Sequence, residues 1–537
     1  MKKLVSRFMA VLMAMTMILS MSMTAFAAEA PKGTLTVNNT VAGKTLDLYQ
    51  IFTATKNGDN VAYTLNSAYE GFFQNKITGA SKLTGEALSE KAYVYVKEQV
   101  GTDGSNGAAF AKDILDWILK NASAVASTHT TASTSAGTTV ISDLAYGYYV
   151  VYPLGATDTS TAPGNETVKS VASLVSVTGT DATVNMKSNY PTVVKKVNNK
   201  NADDVNIGDT VTYTLTSKVP DMTGYTSYVF NFKDTLSAGL TFKEITSVTV
   251  GETTITKVDA GEEANNTYTL TQDGQNITIT MNNFLASNKN NTGKEIKVTY
   301  TATLNKSAVT GFDPNTNKAT VEYSNKPGTD DKDESEPSKV DVHTFNFTIF
   351  KYYLKGETKT GLANAEFELY KANEAGDAAD ENAKINIVDE GNGVYRQATA
   401  DEAKATGFTS AKIVSDVDGK VLVKGLDAGT YYLRETKAPE GYNKLLSDIK
   451  VEIKANYDPK TGKLTSYSVD YTYNGTTTTG TEIKDTTTSP EVAVENKTGA
   501  QLPSTGSKGA LMVTLAGIVL FGALTASKAF GKKKANN

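Results

Sequence analysis

Hydrophobic and polar residues alternate along most of the chain between residues 33 and 496. Large apolar residues are separated by Thr, Lys or Asn with a period of two, most clearly in residues 211–215, 276–281 and 296–304. This period places apolar side chains on one face of a strand and polar ones on the other. Asn57-Gly58 and Asp273-Gly274 lie between such runs and predict hairpin turns. We therefore predict an all-β protein of tandem Ig-like β-sandwiches.

One segment departs from this period. Residues 108–121 carry apolar side chains at helical spacing, namely Phe110, Ile114, Trp117 and Ile118. This spacing predicts an amphipathic helix. We interpret Trp117 as part of the core rather than as a platform for a ligand.

Two interruptions divide the alternation into three domains. A strand-like run ends near Tyr190-Pro191, and an acidic, polar stretch covers residues 327–337. Clustered carboxylates can ligate calcium, but this stretch lacks the spacing and glycine of a calcium loop, so we interpret it as a solvated loop or linker. The predicted domains are residues 29–188, 189–342 and 343–498, between terminal segments 1–28 and 499–537.

The composition excludes several kinds of chemistry. Without Cys the chain has no disulfide, thiol nucleophile or Cys-ligated metal, and its two histidines, His129 and His343, disfavour a Ser-His-Asp triad or a His-rich metal site. We expect no metal, no cofactor and no ordinary enzyme. Eight of the 53 basic residues lie at the two ends, so residues 28–505 hold 45 basic against 58 acidic residues. This acidic middle disfavours nucleic acid as a partner.

The N-terminus has the three parts of a secretory signal peptide, predicted over residues 1–28. Lys2, Lys3 and Arg7 precede an apolar stretch, and Ala25-Phe26-Ala27 forms the cleavage site. An N-terminal membrane anchor is the alternative, and the small-residue cleavage site argues against it.

The C-terminus reads Leu502, Pro503, Ser504, Thr505 and Gly506, followed by an apolar run over residues 510–526 and several lysines. The run approaches the roughly 20 residues that cross a bilayer as a helix, and the lysines favour retention on the cytoplasmic side. This order resembles the sorting signal of Gram-positive cell-wall proteins. The resemblance implies that a sortase cuts between Thr505 and Gly506 and joins the Thr carbonyl to an amine, which anchors an exported protein to the wall.

Three runs of the last domain each place one polar side chain on an apolar face. These are Lys351 beside Phe347 and Ile349, Glu435 beside Tyr431 and Leu433, and Asn496 beside Val492 and Val494. Buried polar groups must satisfy each other, and burial favours a neutral amine beside a protonated acid. The amine can attack the Asn carboxamide while the acid moves protons, so that ammonia leaves and an isopeptide bond remains.

These runs, with the motif YYLRETKAPEGY at residues 431–442, resemble the major shaft pilins of Gram-positive bacteria, of the SpaA and SpaH type. The motif matches that family's E-box, and the last domain resembles the family's CnaB-like domain. The resemblance implies that Lys351 and Asn496 form the bond and that Glu435 promotes it. The alternative is a surface Lys, a surface Glu and an unreacted Asn.

The middle domain starts with Val193-Val-Lys195-Lys196-Val197 and contains further characteristic runs at residues 232–242 and 317–323. These runs resemble the fimbrial isopeptide-forming D2 domain, in which an Asp replaces the Glu. The resemblance implies that Asp234 is the acid and Asn317 the acceptor. Lys195 is the preferred nucleophile because it alternates with two valines, and its neighbour Lys196 would then point outward. The first domain, through its runs at residues 43–52 and 144–151, resembles pilin N-terminal domains, and we predict no Lys/acid/Asn set in it.

In this family a lysine in a YPK motif supplies the amine that links subunits. This chain has Tyr190-Pro191-Thr192 instead. Lys187, Lys195 and Lys196 flank the gap, and Lys196 is preferred as an outward lysine beside the motif.

The sequence thus predicts a backbone subunit of a sortase-assembled, wall-anchored extracellular pilus. Its expected partners are a sortase, further copies of itself, minor pilins and peptidoglycan, with a host surface ligand as a further candidate. The main alternative is a wall-anchored adhesin that is never polymerised. An extracellular enzyme is a third interpretation, which the lack of a nucleophile–base pair disfavours.

Overall fold

The computed structural model describes residues 31–101, 107–157, 171–186 and 189–499. In these ranges the chain forms three consecutive β-sandwiches, which we call the first (residues 32–185), second (194–343) and third (345–495) sandwich. The predicted signal peptide and the predicted sorting motif with its apolar run lie outside the described residues. None of the described helices is long and apolar enough to cross a membrane.

The first sandwich pairs a three-stranded sheet, order β5-β1-β8, with a sheet of order β3-β2-β6-β7 to which β4 is added. Its elements are β1 (Lys32–Thr40), β2 (Leu46–Asn57), β3 (Asn60–Leu65), a 3₁₀ turn (Ser67–Tyr69), α1 (Glu70–Lys76), α2 (Gly85–Val100), α3 (Gly107–Lys120), β4 (His129–Thr130), β5 (Gly137–Ala145), β6 (Gly147–Pro153), β7 (Ser173–Val177) and β8 (Ala182–Asn185). The helix α3 confirms the predicted amphipathic helix, because Phe110, Ile114 and Ile118 are buried. Trp117 packs edge-on against Phe72 in the core, as predicted.

The second sandwich has one sheet of order β14-β13-β18-β11-β9 and a larger one of order β10-β21-β19-β12-β17-β16-β15, with β20 beside β19. Its elements are β9 (Val194–Val197), β10 (Ala202–Asp204), β11 (Thr210–Lys218), β12 (Phe230–Leu236), β13 (Leu240–Val250), β14 (Thr253–Thr254), β15 (Thr256–Lys257), β16 (Thr267–Asp273), β17 (Asn276–Met281), α4 (Phe284–Asn288), β18 (Glu295–Leu304), β19 (Asn315–Ser324), β20 (Lys332–Glu334) and β21 (Ser338–His343).

The third sandwich has one sheet of order β23-β22-β29-β27-β26, with β34 added beside β22, and one of order β25-β24-β30-β31-β32-β33, with β28 beside β24. Its elements are β22 (Phe345–Lys355), β23 (Thr358–Gly361), β24 (Glu366–Ala372), β25 (Ala379–Lys384), β26 (Ile387–Gly391), β27 (Val394–Gln397), α5 (Ala400–Lys404), β28 (Ile413–Val414), β29 (Lys420–Leu426), β30 (Gly429–Lys437), β31 (Ile449–Tyr457), β32 (Leu464–Tyr473), β33 (Thr476–Thr478) and β34 (Glu491–Glu495).

The period of two correctly predicted strands at its clearest runs. The three clearest runs lie in β11, β17 and β18, where buried residues alternate with more exposed ones. Both predicted hairpin turns are present, and Gly58 and Gly274 adopt the left-handed backbone (φ 58° and 57°) that such turns require. The all-β prediction is therefore confirmed.

The acidic stretch at residues 327–337 is not simply the solvated loop that we predicted. Its centre forms β20, which pairs with β19 so that Glu334 lies opposite Glu322. Lys233 lies 2.6 Å from a Glu322 carboxylate oxygen and 2.5 Å from a Glu334 carboxylate oxygen. The centre of the stretch belongs to the second sandwich because β20 pairs with β19 and Lys233 binds Glu334.

Lys44 connects the first sandwich to this stretch. Its buried amine donates to a carboxylate oxygen of Asp333 at 2.7 Å, to the Tyr323 hydroxyl at 3.1 Å and to the backbone carbonyl of Glu334 at 3.0 Å. These three acceptors match the three N–H donors of an ammonium group. The contact between the first two sandwiches therefore buries a fully hydrogen-bonded cation.

Candidate functional site: two buried clusters of lysine, acid and asparagine

The third-sandwich cluster consists of Lys351, Glu435 and Asn496. Alternation along β22 turns Lys351 inward after three buried apolar residues, and its side chain is 0% exposed. Asn496 directly follows β34, which runs parallel to β22, and its N–H donates to the Tyr352 carbonyl at 2.9 Å. Glu435 reaches the same point from β30 in the facing sheet. The fold thus brings together three residues that are far apart in sequence.

Glu435 lies between the other two members of this cluster. Its Oε1 is 2.9 Å from Lys351 Nζ, and its Oε2 accepts from Asn496 Nδ2 at 3.3 Å. Oε2 also accepts from the backbone N–H of Leu445 at 2.7 Å, and Asn496 Nδ2 donates to the backbone carbonyl of Asn443. Burial lowers the pKa of Lys351, and the contact with Glu435 opposes this shift only in part.

The second-sandwich cluster consists of Lys195, Asp234, Tyr300 and Asn317. Lys195 projects from β9 between buried Val193 and Val197, and its side chain is 0% exposed. Asp234 on β12 and Asn317 on β19 belong to the facing sheet, where these two strands are neighbours. Asp234 lies opposite Ala319, which places Asn317 diagonally across the strand pair and within side-chain reach.

Tyr300 occupies the centre of this cluster. Its hydroxyl accepts from Lys195 Nζ at 2.6 Å and from Asn317 Nδ2 at 2.7 Å, and it donates to Asp234 Oδ2 at 2.7 Å. Lys195 Nζ also donates directly to Asp234 Oδ2. Burial lowers the pKa of Lys195, whereas burial and the nearby Asp234 raise the pKa of Tyr300 well above its ordinary value.

Both clusters leave the same asparagine atom without a partner. The side-chain oxygens of Asn317 and Asn496 are buried and accept no hydrogen bond, and Asp234 Oδ1 is in the same condition. An unsatisfied buried acceptor costs free energy. If the neighbouring acid were protonated, it could donate a hydrogen bond to the carboxamide oxygen and remove this cost.

The residues predicted for the link between subunits are placed as follows. Lys196 is half-buried, and its amine donates to the Asn201 side chain. It lines a groove of about 380 Å³ between the second and third sandwiches, together with Lys200 and Tyr457. Lys200 is more exposed and pairs with Asp203 at 2.8 Å. Lys187 and the sorting residues 502–506 lie outside the described residues.

Neither Tyr300 nor the backbone groups of residues 443 and 445 were predicted from the sequence. In sequence, Tyr300 is one of several large residues on the apolar face of β18, and only the fold shows that its hydroxyl meets three polar groups. In the first sandwich, where we predicted no Lys/acid/Asn set, the buried lysine found among the described residues is Lys44. No group of three or more potential metal ligands occurs in the part of the chain that the structure describes.

Comparisons with known protein families give two matches. A model described as a Gram-positive pilin backbone subunit 2, Cna-B-like domain, matches residues 207–327. A model described as the SpaA prealbumin-like fold domain matches residues 353–467. The first match thus lies within the second sandwich and the second match within the third.

Curated relatives include the trypsin-resistant surface T6 protein of Streptococcus pyogenes, 27% identical over 53% of this chain and 50% of the relative. Another is the fimbrial subunit type 2 of Actinomyces naeslundii, 28% identical over 49% of this chain and 50% of the relative. The chain thus spans about half the length of these relatives.

Similar solved structures include the T6 backbone pilin of Streptococcus pyogenes serotype M6. It is 18% identical, with 88% of this chain and 100% of that chain covered and a TM-score of 0.45. The group B streptococcus pilus 2b backbone protein is 28% identical, with 58% and 99% covered and a TM-score of 0.39.

Proposed function

Because the chain belongs to the Gram-positive backbone pilins, we propose that it is a structural subunit of a covalent surface pilus, stabilised by two intramolecular isopeptide bonds. The observation that carries the proposal is the pair of buried clusters. Each places a lysine of lowered pKa, an acid and an asparagine in an apolar core. Three such residues are costly to bury unless they react or neutralise one another.

The third-sandwich cluster has the groups for one round of amide formation. A proton passes from Lys351 Nζ to Glu435, and the neutral amine attacks the side-chain carbon of Asn496. The protonated acid donates to the carboxamide oxygen, which has no other partner. Glu435 then takes a second proton from the Lys351 nitrogen and passes it to Asn496 Nδ2, with which it is in contact. The Asn496 C–N bond breaks, ammonia leaves, the carboxamide oxygen returns its proton to Glu435, and the Lys351 nitrogen keeps one hydrogen. This is general acid–base catalysis used once, so the chain is not an enzyme in the ordinary sense.

The second-sandwich cluster supports the same reaction between Lys195 and Asn317, with Asp234 as the acid. Asp234 Oδ2 contacts both the amine and the Tyr300 hydroxyl, while its Oδ1 has no partner. A proton on Oδ1 would offer the buried carboxamide oxygen of Asn317 a donor.

Both bonds would join an early strand to a late strand of their sandwich. Each closes a loop of more than about 100 residues, which in the loop-entropy model developed for disulfides stabilises the folded state by about 4–5 kcal/mol. The ties also let tension pass between the terminal strands without extending the sandwich. Such a property suits a pilus shaft in a chain that has no Cys.

We also propose the assembly route that the family implies. A sortase would cut after Thr505 within residues 502–506, and an amine of the next copy would receive the Thr carbonyl. Lys196 is our candidate for that amine, and its place in a groove at the sandwich surface supports it. The last transfer would be to peptidoglycan, which gives an exported, wall-anchored pilus with minor pilins as further partners.

Intact mass tests the proposal directly. We would measure residues 29–501, a segment that contains every described residue. Each isopeptide bond removes one ammonia, about 17 Da, so we expect a deficit of about 34 Da. Glu435→Ala should reduce it to about 17 Da. A wild-type chain at its full sequence mass would refute the isopeptide proposal.

A wall-anchored adhesin that is never polymerised is the second candidate, favoured by Thr192 in place of the YPK lysine. Wall extracts separate the two. A pilus gives high-molecular-weight ladders, which Lys196→Ala should abolish and the groove control Lys200→Ala should retain. A single monomer-sized band from the wild type would favour the adhesin.

A further inference from the structure

We propose that the Tyr300 hydroxyl is a catalytic proton relay for the second-sandwich isopeptide bond. This inference rests on the proposed function, because it assigns a role within the reaction of Lys195 with Asn317. The relay would carry a proton from the attacking nitrogen, Lys195 Nζ, to the leaving nitrogen, Asn317 Nδ2. Among the described contacts of the third-sandwich cluster there is no side-chain hydroxyl that could do the same.

The hydrogen bonds of Tyr300 match such a relay. A hydroxyl has one donor and two acceptor lone pairs. Here both lone pairs face nitrogens, Lys195 Nζ at 2.6 Å and Asn317 Nδ2 at 2.7 Å, while the proton faces Asp234 Oδ2 at 2.7 Å. The two nitrogens that must exchange a proton therefore contact the same oxygen atom.

The position of this oxygen is fixed by the sheet. Tyr300 lies opposite Tyr213 in the β11–β18 pair, and the two rings stack with centroids 5.1 Å apart. The Tyr300 side chain is buried in the core. Its raised pKa keeps the phenol protonated, so the group has a proton to donate. A rigid, protonated hydroxyl between donor and acceptor is the geometry that proton transfer requires.

The relay moves one proton from Lys195 Nζ to Asn317 Nδ2 and leaves Tyr300 unchanged. Lys195 first gives a proton to Asp234, and its lone pair attacks the side-chain carbon of Asn317, whose oxygen takes the proton from Asp234. The Nζ atom now carries two hydrogens and a positive charge. It passes one hydrogen to the Tyr300 oxygen, while the Tyr300 proton turns from Asp234 to Nδ2, which has become basic in the tetrahedral intermediate. The C–Nδ2 bond then breaks and ammonia leaves. The former carboxamide oxygen of Asn317 returns its proton to Asp234, and Tyr300 again carries one proton.

The third-sandwich cluster provides an internal reference in the same chain. Its leaving nitrogen, Asn496 Nδ2, contacts the acid Glu435 directly at 3.3 Å and a backbone carbonyl. The acid itself can therefore deliver the proton. Removing the Tyr300 hydroxyl should affect one bond and leave the other unchanged.

The test uses Tyr300→Phe, which removes only the hydroxyl. Residues 29–501 would be made by cell-free translation, stopped at intervals, and analysed by intact mass and by mapping of the crosslinked peptides. We expect the Lys195–Asn317 bond to form on the order of 100-fold more slowly than in the wild type, the usual size of a proton-transfer contribution. The Lys351–Asn496 bond should form at the wild-type rate. Tyr268→Phe is the matched control, because Tyr268 is another buried tyrosine of this sandwich, on β16, two strands from β12.

Each outcome decides the matter. A selective delay of the Lys195–Asn317 bond in Tyr300→Phe, with both bonds normal in Tyr268→Phe, supports the relay. Equal delay of both bonds, or the same delay in the Tyr268 variant, overturns it in favour of a general effect on folding. Formation of both bonds at the wild-type rate overturns it while leaving the proposed function intact. A wild-type chain without any mass deficit would instead overturn the proposed function.

Discussion

The two clusters contain the same functional groups, but different arrangements of strands supply them. In the third sandwich, lysine and asparagine come from neighbouring parallel strands of one sheet, and the acid crosses from the facing sheet. In the second sandwich, acid and asparagine share one sheet, and the lysine crosses from the other. The third cluster is completed by backbone groups and the second by a tyrosine hydroxyl. What the clusters share is complete burial and an acid beside the amine, and these features define the chemistry better than the strand arrangement does.

The largest expected effect comes from removing one acceptor at a time. Asn317→Ala and Asn496→Ala each leave the lysine and acid in place but prevent the crosslink. Because loop entropy depends only weakly on loop length, we expect similar losses of about 4–5 kcal/mol at the two sites. This corresponds to unfolding of the affected sandwich roughly 10–20 °C earlier, measured by calorimetry. Should one variant unfold at the wild-type temperature, the crosslink in that sandwich is absent or does not stabilise it against unfolding.

Features that depend on a single strand could be predicted from the sequence, whereas contacts between strands distant in sequence could not. Alternation within one strand was enough to place Lys351, Glu435 and Lys195 on apolar faces, because the side-chain period of a strand is local. Tyr300 could not be recognised, since a tyrosine on an apolar face is usually core and its role depends on two other strands. The contact of Lys44 with Asp333 likewise joins residues almost 300 positions apart. Local pattern predicts which side chains are buried, and the fold decides which of them meet.

Lys44 can be compared with the two cluster lysines because it is also buried but has different hydrogen-bond partners. It has three oxygen acceptors, whereas Lys195 has two and a pKa lowered by burial. We expect Lys44 to remain an unmodified amine in peptide maps. Lys44→Met should destabilise the contact between the first two sandwiches by about 1–3 kcal/mol, the cost of leaving charged partners unpaired, without changing the mass deficit.

The control for this variant is Lys76→Met, which breaks the surface ion pair of Lys76 with Asp113 in the same sandwich. Both of its partners are about 40% exposed, so the expected loss is at most about 1 kcal/mol. Thermal unfolding compares the two. Equal losses would mean that the buried position of Lys44 adds nothing to the contact.

The smallest expected effect concerns acid. The proposed isopeptide bond would not titrate, so the acid response of the third sandwich would come from other groups, among them Glu368 and Glu402, whose pKa values are both lowered to about 2. Both carboxylate oxygens of Glu402 bind the Arg396 guanidinium at 2.6 Å, and this pairing lowers the pKa of Glu402 from 4.5 to about 2. The folded state thus binds this proton more weakly than the unfolded state, and the stabilisation is complete above pH 4.5 and lost as pH falls towards 2. Because about a third of the Glu402 side chain is exposed to solvent, the loss should be about 1 kcal/mol or less. Urea unfolding between pH 5 and 2 should show a shallower decline for Glu402→Gln than for the wild type, and identical slopes would place the acid response elsewhere.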